Sequence, residues 1–154
     1  MFQFGGRWVA SGDERVAEAD RGDMAVASVH LPAEPSSVRV ARVFVSREMA
    51  TAGVSSTLAL LLTSELASNV VQHARTGFDL VVDATPERVR VEIHDGVGAT
   101  VALHELIERH PGLPAIHAVN GRGLMLLTSS AAACGVIDKG AQGKAVWFEV
   151  VPDS

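Results

Sequence analysis

The sequence predicts an α+β domain, a two-layer sandwich in which helices cover one face of a mostly antiparallel mixed sheet. Helix-like and strand-like segments occur in groups, which is typical of α+β folds and not of parallel α/β folds. Short links also join neighbouring strand segments, and such links indicate antiparallel hairpins. A chain of 154 residues, 47% of them hydrophobic, can bury one core and is too short for two ordinary domains.

The N-terminal part of the chain divides at residue 24. Residues Met1 to Asp23 mix charges of both signs without periodicity. We therefore predict a loosely ordered extension at 1–23 and one folded domain at 24–152. From Met24 to Leu31 apolar and polar residues largely alternate, which predicts a strand that the following prolines end.

Two helices are predicted next. Ser36 or Ser37 can cap a helix that runs to about Ala50. A longer helix runs from about Ser55 to Ala74 and ends before Gly77.

The second half of the chain contains two predicted hairpins. Phe78–Ala84 and Arg88–Asp95 are strands, and the three residues between them indicate an antiparallel pair. The irregular stretch from Asp95 to Gly121 is long enough for a lid or a binding loop. The remaining predicted elements are a helix at Leu124–Ala133 and hairpin strands at Gly135–Asp138 and Lys144–Val151.

Composition narrows the class of protein. The formal net charge of -5 argues against a nucleic-acid binder, which would present a basic face. The only cysteine, Cys134, lies in a small apolar run and is predicted to be a buried hydrophobic residue. The longest nearly uncharged stretch, Met49 to Ser64, is too short and too polar to span a bilayer. We expect a cytoplasmic protein that binds neither membranes nor nucleic acid directly.

The long helix changes character halfway along its apolar face. Residues spaced three and four apart share a face, and here leucines give way to an acid, an amide and an imidazole. Polar groups that continue a buried stripe must be paired or must line a wet cavity. The alternative is that the helix simply emerges into solvent after Leu62. The stripe consists of Leu58, Leu61, Leu62, Glu65, Asn69, Gln72 and His73.

A carboxylate ends the strand Arg88–Asp95 on its apolar side. Valine and isoleucine occupy the odd positions of this strand, so the odd positions are predicted to be its buried face. Asp95 shares that face, and Gly96 and Gly98 follow it, where a ligand amine and a close backbone approach would fit. The alternative is that the strand ends one residue earlier and Asp95 begins a turn.

A glycine-rich turn precedes the predicted helix at residue 124. Glycines before a helix N-terminus can expose backbone N–H groups to an anion. The segment Gly121–Leu124 has this character, although neither the phosphate-loop motif nor the dinucleotide motif is complete. An ordinary turn is the alternative interpretation.

Together these segments resemble the sequence boxes of the GHKL ATPases. The run E-L-A-S-N-V-V-Q-H-A from Glu65 resembles the N-box, H-D-G-V-G-A around Asp95 resembles the adenine-binding box, and G-R-G-L from Gly121 resembles the glycine box. Two further runs are similar to the anti-sigma-factor serine-kinase branch: L-P-A-E-P-S-S-V-R-V-A-R from Leu31 and G-K-A-V-W-F-E-V from Gly143.

The resemblance implies an ATP site with Mg²⁺. Asn69 would be the metal ligand, because magnesium takes few protein ligands beside phosphate oxygens. Glu65 would orient or deprotonate the attacking hydroxyl or water, and Asp95 would hold the adenine amino group. His73 matches the N-box but is expected to be structural. The other ATP-binding positions implied are Gly96, Gly98, Gly121, Arg122, Gly123 and Leu124.

Two departures from the family pattern concern the adenine end. The usual D-x-G-x-G is D-G-V-G-A here, with the glycines one place early. Ala145 stands where a threonine is often found after the last glycine box, which would remove a hydroxyl from that end of the site.

The implied function is a regulatory serine/threonine protein kinase of the anti-sigma-factor type. Such a kinase would phosphorylate an anti-sigma-factor antagonist, bind a sigma factor and so regulate transcription, by positioning and by charge neutralisation with Mg²⁺. The alternative is a non-catalytic, nucleotide-gated binding module. A second copy of the chain is a further candidate partner. A topoisomerase-like ATPase is disfavoured, because the sequence predicts neither a second domain nor a dimerisation helix pair.

Overall fold

A computed structural model describes residues 2–4, 7–9, 17–21, 24–74, 76–97 and 130–153. Two helices occur in this part of the chain, α1 (Ser36–Thr51) and α2 (Thr57–Asn69), and a π-helical turn (Val70–Ala74) continues α2. Neither helix is both long and apolar enough to cross a membrane. The strands are β1 (Phe2–Phe4), β2 (Arg7–Val9), β3 (Ala17–Arg21), β4 (Met24–Leu31), β5 (Phe78–Ala84), β6 (Val89–Asp95), β7 (Ala133–Asp138) and β8 (Lys144–Val150).

Six of these strands form one sheet in the order β3-β4-β5-β6-β8-β7. Every neighbouring pair in that sheet is antiparallel. The two predicted hairpins are confirmed, since β5 pairs with β6 and β7 pairs with β8. The last two strands do not follow their order in the chain, because β8 lies beside β6 and β7 forms the edge of the sheet.

The helices cover one face of the sheet, which confirms the predicted two-layer α+β sandwich. Helix α1 packs against β4 and β5, and α2 packs against β6 and β8. Alternate residues of the strands point toward the helices and form the core, where each large apolar side chain stabilises the fold by about 1.5–3 kcal/mol. The core side chains of the sheet include Leu31, Phe78, Leu80, Val82, Val91, Ile93, Val146 and Phe148.

Helix α1 begins without the serine cap that the sequence predicts. Its N-cap residue is Pro35, which makes no side-chain cap hydrogen bond, and Ser36 and Ser37 lie inside the first turn. Proline presets a helical φ, so it can begin a helix without a capping side chain.

Helix α2 is fixed at its N-terminus by two side chains. The Ser56 hydroxyl accepts a hydrogen bond from the Ala59 N–H at 3.0 Å. The Thr57 N–H donates to Asp153 Oδ2 at 3.0 Å, which joins the start of α2 to the chain that follows β8.

The described parts of the N-terminal segment are strands. Within the extension predicted at 1–23, the structure describes β1 and β2 as an antiparallel pair and β3 as the partner of β4. Charge and composition carry no strand signal here. The reason for pairing lies in β4, whose outer edge presents backbone N–H and C=O groups that a further strand can satisfy. The domain boundary at residue 24 stays a prediction.

The face of the sheet opposite the helices carries a buried polar network. The sequence predicts burial for the odd positions of β6 only, but Glu92 is 0% and His94 3% exposed. Glu92 accepts hydrogen bonds from Arg90 Nη2 at 2.9 Å and from His94 Nε2 at 2.7 Å. The Arg90 guanidinium lies 3.9 Å from the centre of the Trp147 ring and also donates to Glu149 at 2.9 Å. Pairing of this kind compensates the cost of burying the charges.

His94 is held as a neutral ring in this network. Lys139 Nζ lies 3.1 Å from His94 Nδ1, so Nδ1 accepts from the ammonium while Nε2–H donates to Glu92. Burial lowers the pKa of His94 below its usual value, and the Lys139 charge acts in the same direction.

Candidate functional site

The C-terminal half of α2 lies over the end of the sheet that carries Asp95. The start of α2 is joined to the chain after β8, and Asp153 N–H donates to Ser55 O at 2.8 Å. Helix α2 packs on β8 and runs from that end toward Lys144, the first residue of β8.

A hydrogen bond links the chain just after this helical segment to the residue that follows Asp95. The Gly96 N–H donates to Thr76 Oγ1 at 3.1 Å, and Thr76 lies two residues beyond the end of the π-helical turn. The structure therefore brings the N-box helix and the adenine-box strand to one end of the domain.

Glu65 and Asn69 lie on the flank of α2, one turn apart, and both are half-buried. The Glu65 carboxylate makes no hydrogen bond or ion pair with the described part of the chain. The predicted stripe is partly wrong: Leu61 is 43% exposed, and the helix buries Thr63 and Leu66 instead. The polar residues continue the edge of the buried face and not its centre. His73 is exposed.

Asp95 ends β6 on the helix side of the sheet, as its odd position predicts. Its side chain is 3% exposed and forms an ion pair with Lys144, whose Nζ lies 3.0 Å from Oδ1 and 2.9 Å from Oδ2. Oδ1 also accepts from the Val97 N–H at 2.8 Å. The alternative of a strand that ends before Asp95 is excluded, because Asp95 pairs with Lys144 of β8 in the ladder.

The glycine that a close backbone approach requires is Gly143, not Gly96. A Cβ atom at Gly143 would overlap the carbonyl oxygen of Asp95 and lie 2.8 Å from Gly96 Cα. Gly143 also has a φ of 110°, which other residues rarely adopt. A Cβ atom at Gly96 would make only ordinary contacts with Thr76, the nearest at 3.5 Å. Gly143 therefore lets β8 begin directly beside Asp95.

The residue beside Asp95 at the start of β8 is Lys144 and not Ala145. Ala145 pairs with His94, on the face opposite the helices, and so cannot remove a hydroxyl from beside Asp95. Lys144 shares the helix-side face with Asp95 and is a candidate site residue that the sequence analysis missed. Its place beside Asp95 depends on the register of β8 against β6, which the local sequence does not show.

The remaining predicted site residues lie outside the described residues. They are Gly98, Gly121, Arg122, Gly123 and Leu124. The part of the predicted lid that follows Val97 and most of the helix predicted at Leu124–Ala133 also lie outside the described residues. Ala133 itself begins β7.

The described residues fit a metal held mainly by a nucleotide. In this part of the chain no group of three His, Cys, Asp or Glu side chains could hold a metal ion by itself. Asn69 offers one amide oxygen, and Mg²⁺ bound with a nucleotide needs little more from the protein. The buried Asp95 carboxylate could bind the amino group of a nucleobase. Its Oδ2 accepts one hydrogen bond, from Lys144, within the described residues, and a carboxylate oxygen can accept two.

Comparison with models of known protein families gives a match. The family model described as "Histidine kinase-like ATPase domain" matches residues 31–150, which run from the end of β4 to the end of β8. No curated protein matches the chain.

Proposed function

The chain belongs to the histidine kinase-like ATPase domain family, and from that premise we propose that it is an ATP- and Mg²⁺-dependent regulatory serine/threonine protein kinase of the anti-sigma-factor type. Membership of the family implies ATP binding. The proposal adds that the protein acts in the cytoplasm, regulates transcription and phosphorylates an anti-sigma-factor antagonist.

The observation that carries the proposal is the position of Glu65. This carboxylate is half-buried, makes no bond within the described residues and lies one turn before Asn69. Structural carboxylates in a partly buried position are normally paired, so an unpaired one beside a candidate metal ligand favours a chemical role.

Three residues of the chain would have different roles in phosphoryl transfer. Mg²⁺, when bound, would neutralise phosphate charge, and Asn69 would hold it through its amide oxygen. Glu65 would accept the proton of a serine hydroxyl while the serine oxygen forms a bond to the terminal phosphorus of ATP. The bond from that phosphorus to the bridging oxygen breaks, and ADP keeps the bridging oxygen. Asp95 would bind the base.

The exposed side of α1 supports a protein partner. Val40 and Val43 are 46% and 47% exposed, among the exposed large hydrophobic residues of the described chain. Arg39, Arg42 and Arg47 are exposed around them. In a chain of net charge -5, this combination favours a partner with an acidic and apolar surface, such as an antagonist or a sigma factor.

One observation favours the alternative of a non-catalytic, nucleotide-gated binding module. Lys144 already occupies both oxygens of Asp95, and a base must share or displace it. A base that shares Asp95 with Lys144 can still bind, and binding without turnover is all that a nucleotide-gated switch requires.

Phosphoryl transfer from labelled ATP to candidate antagonist proteins separates the two functions. Glu65→Gln should bind ATP almost normally and lose about a hundredfold to ten-thousandfold in rate, the usual contribution of a general base. Asn69→Ala should lose both Mg²⁺-dependent binding and transfer. Glu87→Gln is the matched control, because Glu87 is an exposed glutamate in the β5–β6 turn.

Two outcomes would contradict the kinase proposal. If the unaltered protein transfers no phosphate while ATP changes its affinity for a partner, the switch is correct. If Glu65→Gln abolishes ATP binding, Glu65 is a binding or structural residue and its assigned role is wrong.

A further inference from the structure

The ion pair between Asp95 and Lys144 lies at the end of the site where the nucleobase would bind. We propose that Lys144 is a second base contact: its ammonium group donates a hydrogen bond to ring nitrogen N1 of adenine while Asp95 accepts one from the adjacent exocyclic amine. This inference rests on the proposed ATP binding and adds a specificity-determining residue to it.

The hydrogen-bond capacity of the pair supports this role. Lys144 Nζ has three N–H donors and contacts Asp95 Oδ1, Asp95 Oδ2 and the Val97 carbonyl oxygen, the last at the longest distance, 3.2 Å. The Val97 contact is therefore the one that a ligand acceptor can replace most easily. Among the described residues, Asp95 Oδ1 accepts from both Lys144 and the Val97 N–H, whereas Oδ2 accepts from Lys144 alone. Oδ2 keeps room for one ligand N–H.

The two groups together match one edge of adenine. Oδ2 is an acceptor and Nζ, 2.9 Å away, is a donor. Adenine presents the complementary order on neighbouring positions, an amine donor beside an unprotonated ring nitrogen. Two parallel hydrogen bonds can thus form without breaking the ion pair, so the carboxylate keeps its counter-ion while the base binds.

The backbone fixes Lys144 in this position. Asp95 and Lys144 are opposite each other in the β6–β8 ladder, and Gly143 permits the close approach of the two strands. The Lys144 side chain is 14% exposed against 3% for Asp95, so Lys144 is the more accessible member of the pair. A hydroxyl at this position could not supply a charged donor.

The test compares ATP with 1-deaza-ATP, in which a C–H group replaces N1 and the amine is retained. Titration calorimetry should show that the unaltered protein binds 1-deaza-ATP about ten- to a hundredfold more weakly than ATP, the usual loss for a hydrogen bond to a charged group. Lys144→Met should bind both nucleotides with equal affinity, and weaker than the unaltered protein binds ATP. Lys139→Met is the matched control, because Lys139 contacts His94 on the opposite face, and it should keep the difference between the nucleotides.

Each other outcome has a definite meaning. Equal binding of ATP and 1-deaza-ATP by the unaltered protein overturns the role of Lys144 and leaves the proposed function intact. Tighter ATP binding by Lys144→Met also overturns it, since Lys144 would then be a competitor for Asp95. No ATP binding by the unaltered protein defeats the proposed function and this inference together. If Lys144→Met does not fold, as judged by its melting curve, the two nucleotides on the unaltered protein still decide.

Discussion

Replacing Thr63 with valine should stabilise the protein. Thr63 is 0% exposed, faces the core from α2, and its hydroxyl has no hydrogen-bond partner in the described part of the chain. An unpaired buried hydroxyl costs about 1–3 kcal/mol. Valine has nearly the same shape and helix propensity and buries a methyl group in place of the hydroxyl. We expect the free energy of unfolding to rise by about 1–2 kcal/mol and the melting temperature by about 2–8 °C.

Urea denaturation followed by circular dichroism measures this change directly, as a higher midpoint at an unchanged slope. Thr85→Val is the matched control. Thr85 is 5% exposed, but its hydroxyl accepts from the Arg88 N–H at 3.1 Å and from the Glu87 N–H at 3.3 Å. The control should lose about 1–3 kcal/mol, because valine leaves those donors without a partner. The reasoning is refuted if Thr63→Val is neutral or destabilising while Thr85→Val behaves as expected, since Thr63 would then have a bonded hydroxyl.

Three further predictions follow from the fold and can be measured by equilibrium unfolding. Gly143→Ala should lower the free energy of unfolding by about 3 kcal/mol or more, since backbone strain and overlap with Asp95 act together. Gly140→Ala should lower it by about 1–2 kcal/mol, because Gly140 has a φ of 61° but lies in open space. Equal losses for the two variants would contradict this reasoning. His94 has a lowered pKa, so below about pH 6.5 the unfolded chain binds a proton that the folded chain does not, and stability should fall by up to about 1.4 kcal/mol per pH unit until the folded pKa is reached. His94→Gln should lack this part of the pH dependence, and an unchanged profile would show that His94 is not its source. Ser56→Ala should cost about 1 kcal/mol through loss of the α2 cap, and no loss would mean that Asp153 caps the helix alone.

Periodicity and turn residues were sufficient to predict most of the fold. The alternation in Phe78–Ala84 and Arg88–Asp95 and the short link between them determine a hairpin, and the structure has it within one residue. The position of Asp95 on the apolar face also followed from alternation alone. The strand β3 could not be predicted, because its pairing depends on the edge of β4 and not on its own composition.

The sequence analysis failed where the position or burial of a residue depends on how two strands pair. Lys144 becomes a site residue only through its register with Asp95, and local sequence around residue 144 does not reveal that pairing. Arg90, Glu92 and His94 appear solvent-exposed by alternation, since a polar residue at every second position is typical of a wet face. Glu92 and His94 are buried and Arg90 is half-buried, because hydrogen bonds to one another and to Glu149 and Lys139 satisfy their polar groups, which one strand alone cannot show.

That polar network also makes misaligned strands unfavourable. A slip of one residue in β6 would exchange its two faces and place Arg90, Glu92 and His94 against the helices, where Arg90 could no longer reach Glu149 and His94 could no longer reach Lys139. An apolar residue at any of these positions would remove part of that penalty, because either face of the strand could then pack against α2. The charges on the helix-free face thus discriminate between the native alignment of the central strands and its nearest competitors, a contribution to folding fidelity that is separate from any catalytic role.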